Sequence, residues 1–446
     1  MINSILAEIR REGGRGLYVG GTVRDRYMGV ESKDIDVEVY KLSLDKLQEI
    51  LSRYGSVDII GRSFGTLKIH GLNVDFSLPR TDNKKGKGHK GIEVKVDPFL
   101  SYKDAAERRD LTMNAMWYDP LTEEEADYFD GKKDIDAKVL RATDPYTFLE
   151  DPLRALRVVQ FASRFEMWPD AQLSGLCKWA DLSELSSERI FEEFKKLLEK
   201  GKRPSIGLSF MRRTDMLRFF PELKALVGCE QEYEWHSEGD VWSHTLLVTD
   251  EARLMSDNFT LVMAALCHDF GKPLTTKFMD GRIRSLEHEE KGVEPTEAFL
   301  NKMKAPLDFI KAVSTIVRHH LSPHDFYKNG ASPRAFRRLA RKLAEAGLTL
   351  QDLEKMGRAD HYGRRTPDAV MRDYPAGDWF LQMADKLDIT TIQKASNDVC
   401  LGRHLIARGL KPGKEFGPIL DRCREIQDET GLRDVEAILQ IVLENK

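Results

Sequence analysis

Acidic residues alternate with β-branched residues in the stretch Asp34-Ile35-Asp36-Val37-Glu38-Val39. Because strand side chains point to opposite faces with a period of two, this pattern predicts a strand with Asp34 and Asp36 on one face and apolar residues in a core. Two carboxylates on one face suit Mg²⁺, which completes its octahedral shell with water and phosphate oxygens. The alternative is an edge strand with a solvated acidic face.

A tight turn precedes the acidic stretch. Leu17-Tyr18-Val19 predicts a short strand, Gly20-Gly21 a turn that brings backbone N–H groups close to a ligand, and Thr22 to Asp25 a helix start of the capping-box type. A third acid, Asp75, lies on a predicted neighbouring strand, where a cap or surface residue is the simpler interpretation. Three acids could hold two metals, or one metal and a base that deprotonates an attacking hydroxyl.

The cluster Glu107 to Met116 contains groups that suit a nucleotide. Arginine forks such as Arg109 bind phosphate oxygens. Asp110 and Asn114 lie four residues apart and could share a helix face toward a sugar hydroxyl. An ordinary helix start with salt bridges is the alternative.

Asp151, Arg154 and Arg157 recur at helical spacing. Asp151 is a good N-cap and Pro152 a good first-turn residue, so a structural role is one interpretation. A carboxylate can also accept from the amino group of cytosine or adenine while a guanidinium donates to the adjacent ring nitrogen. Uracil and guanine carry an oxo group there, so such a pair would select C and A over U and G without a template.

Composition limits the class of protein. A chain of 446 residues is long enough for two to four domains, and it contains no run of 18 apolar residues and no signal-peptide pattern. Five cysteines without a CxxC pair predict a reducing, cytoplasmic location. With a net charge of −4, the chain has no overall basic character, so any RNA contact must come from local basic faces. The alternative is that these basic runs are ordinary solvated helix faces. The basic candidates are Lys195, Lys196, Lys200, Lys202 and Arg203, and Arg334, Arg337, Arg338, Arg341 and Lys342.

The chain changes character along its length, which predicts an α+β protein in four parts. Residues 1–140 mix short strands with helices, and the polar, lysine-rich stretch Arg80 to Gly91 predicts a mobile basic loop or a solvated hairpin tip. Residues 141–226 form a helical neck, 227–372 a histidine-rich helical domain, and 373–446 a helical tail.

Histidines and aspartates supply a second ligand set. His244 lies in a helical stretch, and His268-Asp269 ends an apolar helical run. Neutral imidazoles beside a carboxylate favour a divalent transition metal over Mg²⁺.

The strings VGGTVRDRYMGVESKDIDV, ERRDLTMNAM and EDPLRALRVVQFASRF occur in this order over residues 15–200. They resemble the signature motifs of the class II tRNA nucleotidyltransferases, which comprise CCA-adding enzymes and bacterial poly(A) polymerases. The resemblance implies a polymerase-beta-like head with CTP, ATP and tRNA as partners. The lack of a long apolar run predicts no membrane partner, and the sequence leaves a monomer and a homodimer both open. The resemblance also implies residue roles. Asp34 and Asp36 would bind Mg²⁺, with Asp75 as third acid, and Gly20, Gly21 and Arg24 would bind the triphosphate. Arg109, Asp110 and Asn114 would contact the phosphate and ribose, and Asp151, Arg154 and Arg157 would read the base.

The second ligand set resembles the HD phosphohydrolase superfamily. That resemblance implies metal ligation by His244, His268, Asp269 and Asp360, with His288 and the pair His319-His320 as further ligands or phosphate anchors, and it leaves His236, His324 and His361 on the surface. In CCA enzymes of this organisation the HD domain is a 2′-nucleotidase, 2′,3′-cyclic phosphodiesterase and phosphatase.

Three functions fit these motifs. The first is addition and repair of the tRNA CCA end with an attached phosphohydrolase. The second is a poly(A) polymerase or a CC-only or A-only specialist, although no shortening is visible between Arg80 and Arg109. The third is an HD hydrolase with an RNA-docking module, against which the three acids argue.

Overall fold

The computed structural model describes residues 1–32, 34–60, 65–84, 92–396 and 398–444. The chain divides into two units, Met1–Phe219 and Phe220–Lys446. The first unit combines strands and helices, and the second is helical apart from one hairpin, so the predicted α+β class is confirmed. Within the described residues, no helix has both the length and the apolar character needed to cross a bilayer.

Eleven strands lie among the described residues of the first unit. Their bounds are β1 Arg15–Val19, β2 Ile35–Tyr40, β3 Val57–Ile60, β4 Thr66–Ile69, β5 Val74–Ser77, β6 Arg80–Lys84, β7 Ile92–Val96, β8 Met116–Tyr118, β9 Glu125–Asp127, β10 Val139–Leu140 and β11 Trp168–Pro169. Seven of them form a mixed sheet in the order β3-β4-β5-β2-β1-β8-β9. The other four form two small sheets, β6 with β7 and β10 with β11.

The predicted mobile loop from Arg80 to Gly91 is wrong in its first part. Arg80–Lys84 is a strand that pairs antiparallel with Ile92–Val96. The rest of that prediction, residues 85–91, lies outside the described residues.

Helices cover the sheet and continue beyond it. Their bounds are α1 Ile2–Arg11, α2 Gly21–Tyr27, α3 Leu44–Ser52, α4 Tyr102–Glu107, α5 Gly131–Asp136, α6 Leu153–Phe165, α7 Ala171–Trp179, α8 Ser187–Lys200 and α9 Pro204–Arg213, with 3-10 turns at Thr112–Asn114, Phe148–Glu150, Leu182–Glu184 and Met216–Phe219.

The core of the first unit lies where the predicted alternation places it. Val37 and Val39 of β2 are fully buried with Phe76 of β5, and apolar residues of α1 and α3 close over them. The opposite face of β2 carries the acids. Helix α6 packs against α8 and α9 through its apolar stripe, as its three- and four-residue spacing predicts.

The second unit is a bundle with a hairpin. Its elements are α10 Pro221–Ala225, α11 Val241–Met255, α12 Phe259–Cys267, α13 Lys272–Thr275, β12 Thr276–Met279, β13 Arg282–Ser285, α14 His288–Lys291, α15 Val293–Lys302, α16 Leu307–His319, α17 Ser322–Asn329, α18 Pro333–Ala344, α19 Leu350–Tyr362, α20 Pro367–Val370, α21 Pro375–Lys386, α22 Ile392–Ser396, α23 Gly402–Ala407, α24 Phe416–Thr430 and α25 Val435–Glu444. Helix α12 is buried on all sides and packs against α11, α16 and α19.

The tail helices α23 to α25 have their own apolar cluster. Arginines of α18, expected to face RNA, instead contact this tail: Arg334 pairs with Glu429 at 2.9 Å, and Arg341 Nη2 with Asp428 at 2.9 Å. Arg337 donates to the Asp428 carbonyl at 2.9 Å. Three of the five cations of that predicted basic face are therefore engaged within the protein.

Two candidate active sites

Asp36 and Asp75 occupy paired positions on two neighbouring strands. Strands β2 and β5 run parallel, and their register sets Asp36 opposite Asp75. Asp34 is exposed and lies just before β2 begins. Burial raises the pKa of Asp36, and the negative charges of Asp75 and Asp34 add to that effect against the opposing charge of Arg109. A set of hard oxygen donors that repel one another fits a divalent cation such as Mg²⁺.

Gly20 brings the backbone against these acids. It adopts φ 65°, a conformation that favours glycine. A Cβ atom on Gly20 would lie 2.6 Å from Arg109 Nη1 and 3.7 Å from Asp36 Oδ2, so a side chain there would displace the Arg109 guanidinium from the acids.

The predicted capping box at Thr22 is wrong. Helix α2 begins at Gly21, its N-cap is Gly20, and no side chain caps it. The Thr22 hydroxyl instead accepts a hydrogen bond from the Asp36 N–H at 2.9 Å, so it ties the turn to the acidic strand.

One cleft of about 460 Å³ collects most of the predicted nucleotide-binding residues. Its lining includes Gly20, Gly21, Arg24, Asp36, Arg109, Asp110, Asn114, Asp151, Arg154 and Arg157. Asp34 and Asp75 are not among the lining residues that the structure describes. Residues that the sequence did not indicate for this cleft also line it: Arg80, Arg108, Leu153, Gln160, Phe161, Arg164, Arg189, Lys196 and Lys200. The two lysines were expected on an RNA-binding face.

A chain of hydrogen bonds crosses the cleft. Arg24 Nη1 donates to Asn114 Oδ1 at 2.7 Å, Asn114 Nδ2 donates to Asp110 Oδ1 at 2.9 Å, and Arg157 Nε donates to Asp110 Oδ2 at 2.6 Å. Burial opposes the charge of Asp110, but Arg157, Asn114 and Arg154 outweigh it and lower the pKa of this carboxyl to about 2. Asp110 is thus held as an anion that fixes Arg157.

The expected helix through Asp110 and Asn114 is wrong, although the two side chains do meet. Asp110 lies outside any helix, and a 3-10 turn spans Thr112–Asn114. The aspartate carboxylate accepts from its own chain at the Leu111 N–H, which favours a turn over a helix.

Phe161, a residue of α6, lies against two arginines of the cleft. The Arg24 and Arg157 guanidinium carbons lie 5.5 and 5.1 Å from its ring centroid. A π face beneath two cations holds them apart and in place. The sequence offers no signal for this role, because Phe161 resembles any other residue of the α6 stripe.

The predicted base-reading pair is anchored by its surroundings. Asp151 Oδ2 accepts from Arg189 Nη2 at 2.7 Å, and Asp151 Oδ1 accepts from the Leu153 N–H at 3.2 Å. Arg154 donates to the Thr147 and Arg108 carbonyls at 3.1 and 2.8 Å. Asp151 is not the N-cap that its sequence context predicts, since α6 begins at Leu153 after Pro152.

Glu38, the third acid of the alternating strand, has a role that the sequence analysis missed. It is only 1% exposed and accepts from Arg108 Nη2 at 2.9 Å and from the Tyr40 hydroxyl at 2.6 Å. Burial opposes its charge, but Arg109, Arg108 and Tyr40 lower its pKa. Glu38 therefore orients Arg108 and Arg109. It does not lie on a solvated acidic face, because it is buried.

The second candidate site lies in the second unit, where six side chains meet in the interior. His244, His268, Asp269, His288, His320 and Asp360 are all buried. His244 Nε2 lies 2.9 Å from Asp360 Oδ1 and 3.8 Å from Asp269 Oδ2. His268 Nε2 lies 3.2 Å from Asp269 Oδ2, and His288 Nε2 lies 3.4 Å from Asp269 Oδ1.

Three of the imidazoles are oriented in the same way. The Nδ1 atoms of His268, His288 and His320 lie 2.8, 2.8 and 2.6 Å from the carbonyl oxygens of Ala265, Ser285 and Val317. Because a carbonyl only accepts, each Nδ1 carries a proton, and in the neutral imidazole Nε2 is then the atom with the free lone pair. The buried Nε2 atom of His320 makes no hydrogen bond within the described residues, and that of His268 faces Asp269 Oδ2 at 3.2 Å. An orphaned nitrogen beside a carboxylate and a second imidazole fits a metal ion.

The donors form three groups, each of which shares a residue with the next. The ligand atoms lie within 4.8 Å of one another in His236, Glu238 and His244, in His244, His268 and Asp269, and in Asp269, His288 and His320. His244 belongs to the first two groups and Asp269 to the last two. Mixed imidazole and carboxylate donors suit divalent transition metals.

A cavity of about 230 Å³ opens onto this cluster. Lys272 Nζ lies 2.8 Å from Asp269 Oδ2, and Arg364 Nη2 lies 3.2 Å from Asp360 Oδ2. Both cations line the cavity together with His288. Their charge suits a phosphate group that approaches the metal ligands.

Two of the histidines that were expected to be exposed on the surface are partly buried instead. His236 lines the cavity, its Nδ1 lies 2.9 Å from Glu238 Oε1, and burial lowers its pKa to about 3. His361 is half-buried and donates from Nε2 to the Asp373 carbonyl at 2.8 Å. His324 is exposed, as expected, and His319 lines a different groove from its neighbour His320.

Three domain families match the chain. Residues 17–141 match the poly A polymerase head domain, 177–226 the probable RNA and SrmB-binding site of polymerase A, and 241–388 the HD domain. The chain is therefore a nucleotidyltransferase joined to an HD domain.

Proteins of similar sequence define the family more closely. The multifunctional CCA protein of Xanthomonas campestris pv. campestris is 33% identical over 315 residues, which cover 69% of this chain and 75% of the relative. The chain belongs to the family of multifunctional CCA proteins. Two solved structures share the fold: the Bacillus stearothermophilus CCA-adding enzyme in complex with CTP (TM-score 0.67, 20% identity, 99% of this chain and 96% of that chain) and the Thermotoga maritima enzyme complexed with tRNA (TM-score 0.58, 18% identity, 100% and 95%).

Proposed function

We propose that this protein builds and repairs the 3′-terminal CCA of tRNA from CTP and ATP without a nucleic-acid template, and that its HD domain hydrolyses phosphoesters. One observation carries the first part. The residues proposed to bind the triphosphate and those proposed to read the base line the same cleft as Asp36.

The first site supports transfer of a nucleotidyl group. Asp34 and Asp36, with Asp75 as third acid, would hold Mg²⁺, which when bound neutralises the charge that develops on the phosphates. Gly20 lets the backbone approach the triphosphate, while Arg24 and Arg109 donate to its oxygens. The tRNA 3′-hydroxyl gives its proton to a carboxylate of this acidic set, its oxygen forms a bond to the α-phosphorus as the bond to the bridging oxygen breaks, and pyrophosphate leaves.

The remaining cleft residues hold the nucleoside. We assign ribose contact to Asp110 and Asn114, which lie between Arg24 and Arg157. Asp151 accepts from the amino group of cytosine or adenine, Arg154 donates to the ring nitrogen, and Arg157 lines the same wall. Uracil and guanine would set an oxo group against the Asp151 carboxylate.

The second site supports hydrolysis. His244, His268, Asp269 and Asp360 would hold one divalent metal, and Asp269, His288 and His320 have the spacing for a second. Metal bound there supplies a water nucleophile near neutral pH. Lys272 and Arg364 bind the phosphate oxygens of a 2′-phosphate, a 2′,3′-cyclic phosphate or another small phosphoester.

We propose a functional division into a head at 1–140, a neck at 141–226, an HD domain at 227–372 and a tail at 373–446. The separate apolar cluster of α23 to α25 supports a distinct tail. Helix α21, however, packs against α17 and α19, so its contacts are with the HD helices.

The decisive experiment measures incorporation of each labelled nucleoside triphosphate, alone and in mixtures, on tRNA transcripts that end before CCA, after C and after CC. Addition that stops at CCA on all three supports the proposal. Unlimited addition of A, or extension of one transcript only, would instead identify a poly(A) polymerase or a specialist. Loss of hydrolysis but not of incorporation in His268→Ala would separate the two activities.

A further inference from the structure

A second cavity of about 390 Å³ adjoins the metal-ligand cavity in the second unit. Trp235 and Arg364 line both cavities, so the two meet at these side chains. Arg364 also contacts Asp360 of the ligand cluster at 3.2 Å. A phosphoester whose phosphate lies beside Arg364 would therefore extend its remaining part into the second cavity.

Five of the twelve lining residues of this second cavity carry a ring with a π face, Trp235, Tyr327, Tyr374 and two histidines, and Glu234 and Asp368 also line it. Trp235 and Tyr327 are 52% and 48% exposed, although large aromatic side chains are usually buried. Two ring contacts occur at this cavity. His361 stacks on Tyr374 with 4.8 Å between ring centroids and 24° between planes, and the Tyr327 and Trp379 ring centroids lie 5.7 Å apart with 65° between planes. The second contact supports Tyr327, which stays partly exposed.

We propose that this aromatic cavity binds the nucleobase of the phosphoester that is hydrolysed at the adjacent metal-ligand cluster. The volume lies within the range of about 300–1,000 Å³ that is usual for small-molecule sites. Bases stack on aromatic side chains in a sequence-tolerant way, because every base has a π face. The HD domain then selects nucleotides and RNA ends over phosphoesters that lack a base. This inference rests on the proposed hydrolase activity.

Two matched substrates test the proposal. Adenosine 2′-phosphate and glycerol 2-phosphate are both monoesters of a secondary hydroxyl, but only the first carries a base. We expect the intact protein to prefer adenosine 2′-phosphate at least tenfold in kcat/KM. Tyr327→Ala should reduce this preference about tenfold, mainly through KM, while Tyr327→Phe should keep it, because a phenyl ring still stacks.

Tyr233→Ala is the control, since Tyr233 is 75% exposed and lines neither cavity in the described structure. It should leave the preference unchanged. Equal hydrolysis of the two substrates by the natural protein, or an equal loss for both in Tyr327→Ala, would overturn the base subsite and leave the hydrolase activity standing.

Calorimetric titration with adenosine separates the subsite from the activity. We expect weaker total binding in Tyr327→Ala than in the natural protein and in Tyr233→Ala, and the comparison between variants removes any contribution of the first unit. If neither phosphoester is hydrolysed but this difference persists, the hydrolase proposal fails and the subsite stands. Identical adenosine binding in all three proteins would overturn the subsite.

Discussion

Asp36 and Asp75 stand opposite each other on the parallel strands β2 and β5. The pairing brings together two acids that are 39 residues apart in the chain, and Asp36 keeps a raised pKa through burial and through this neighbour. Two carboxylates held together in this way repel each other, and a bound cation relieves that repulsion.

Asp36→Asn should reduce nucleotide incorporation by at least about 100-fold, the loss expected when charge stabilisation of a transition state is removed. Phosphoester hydrolysis should persist, because the histidine cluster lies in the other unit. Asp58→Asn provides the control, since Asp58 is a largely exposed acid of the same sheet. Incorporation at the natural rate in Asp36→Asn would contradict the assignment.

Asp110 should make stability depend on pH. Its pKa is about 2 in the folded chain against an ordinary 3.8, so its ionised form stabilises the fold above pH 4, and this contribution is lost as the pH falls toward 2. One pKa unit is worth about 1.4 kcal/mol, which sets the contribution at about 2 kcal/mol. The gap in melting temperature between the natural protein and Asp110→Asn should narrow between pH 4 and 2.5. A gap that stays constant over this range would refute the linkage.

Arg189 should control the fidelity of base selection. It holds the Asp151 carboxylate at 2.7 Å, so Arg189→Ala frees that side chain to rotate. We expect misincorporation of UTP and GTP to rise about tenfold relative to CTP and ATP, the equivalent of one lost hydrogen bond to a charged group. Arg212→Ala, which removes an exposed arginine of α9, should not change selection. Unchanged fidelity in both variants would show that Asp151 needs no partner.

His320 and His319 form a natural pair of test and control for metal binding. His320 is buried among the ligand atoms, whereas its neighbour lines another groove. His320→Ala should lower the bound metal per chain and reduce hydrolysis by at least about 100-fold, as loss of a ligand removes metal activation of water. His319→Ala should retain both. Equal metal content in the two variants, measured by elemental analysis, would exclude His320 as a ligand.

Local sequence patterns predicted which segments are strands and helices better than they predicted which segments and side chains contact one another. The alternation in β2 predicts a strand with Val37 and Val39 in the core, and the structure confirms it. The pairing of Asp36 with Asp75 could not be predicted from the sequence, because register between distant strands depends on the whole sheet. The capping box at Thr22 failed for a related reason: its hydroxyl bonds to Asp36 across the turn.

Surface charge was the least predictable feature. The sequence assigned no role to Glu38, which is buried and bonds to Arg108, and it left Arg341 as an RNA contact or a solvated residue, whereas Arg341 pairs with Asp428. In both cases the partner lies far away in sequence, so the spacing of charges along one element carries no information about it. The convergence of His244, His268, Asp269 and Asp360 followed from a resemblance, since helical periodicity alone cannot bring three elements together.

The carbonyl-anchored imidazoles of His268, His288 and His320 have a thermodynamic consequence. Their rings are oriented before any ion arrives, so loading an ion freezes few side-chain rotations. This pre-orientation lowers the dissociation constant of the folded chain, and each tenfold increase in free ion above that constant adds about 1.4 kcal/mol of stability when the unfolded chain does not bind the ion. The melting temperature of the histidine-rich unit thus reports directly on ion supply.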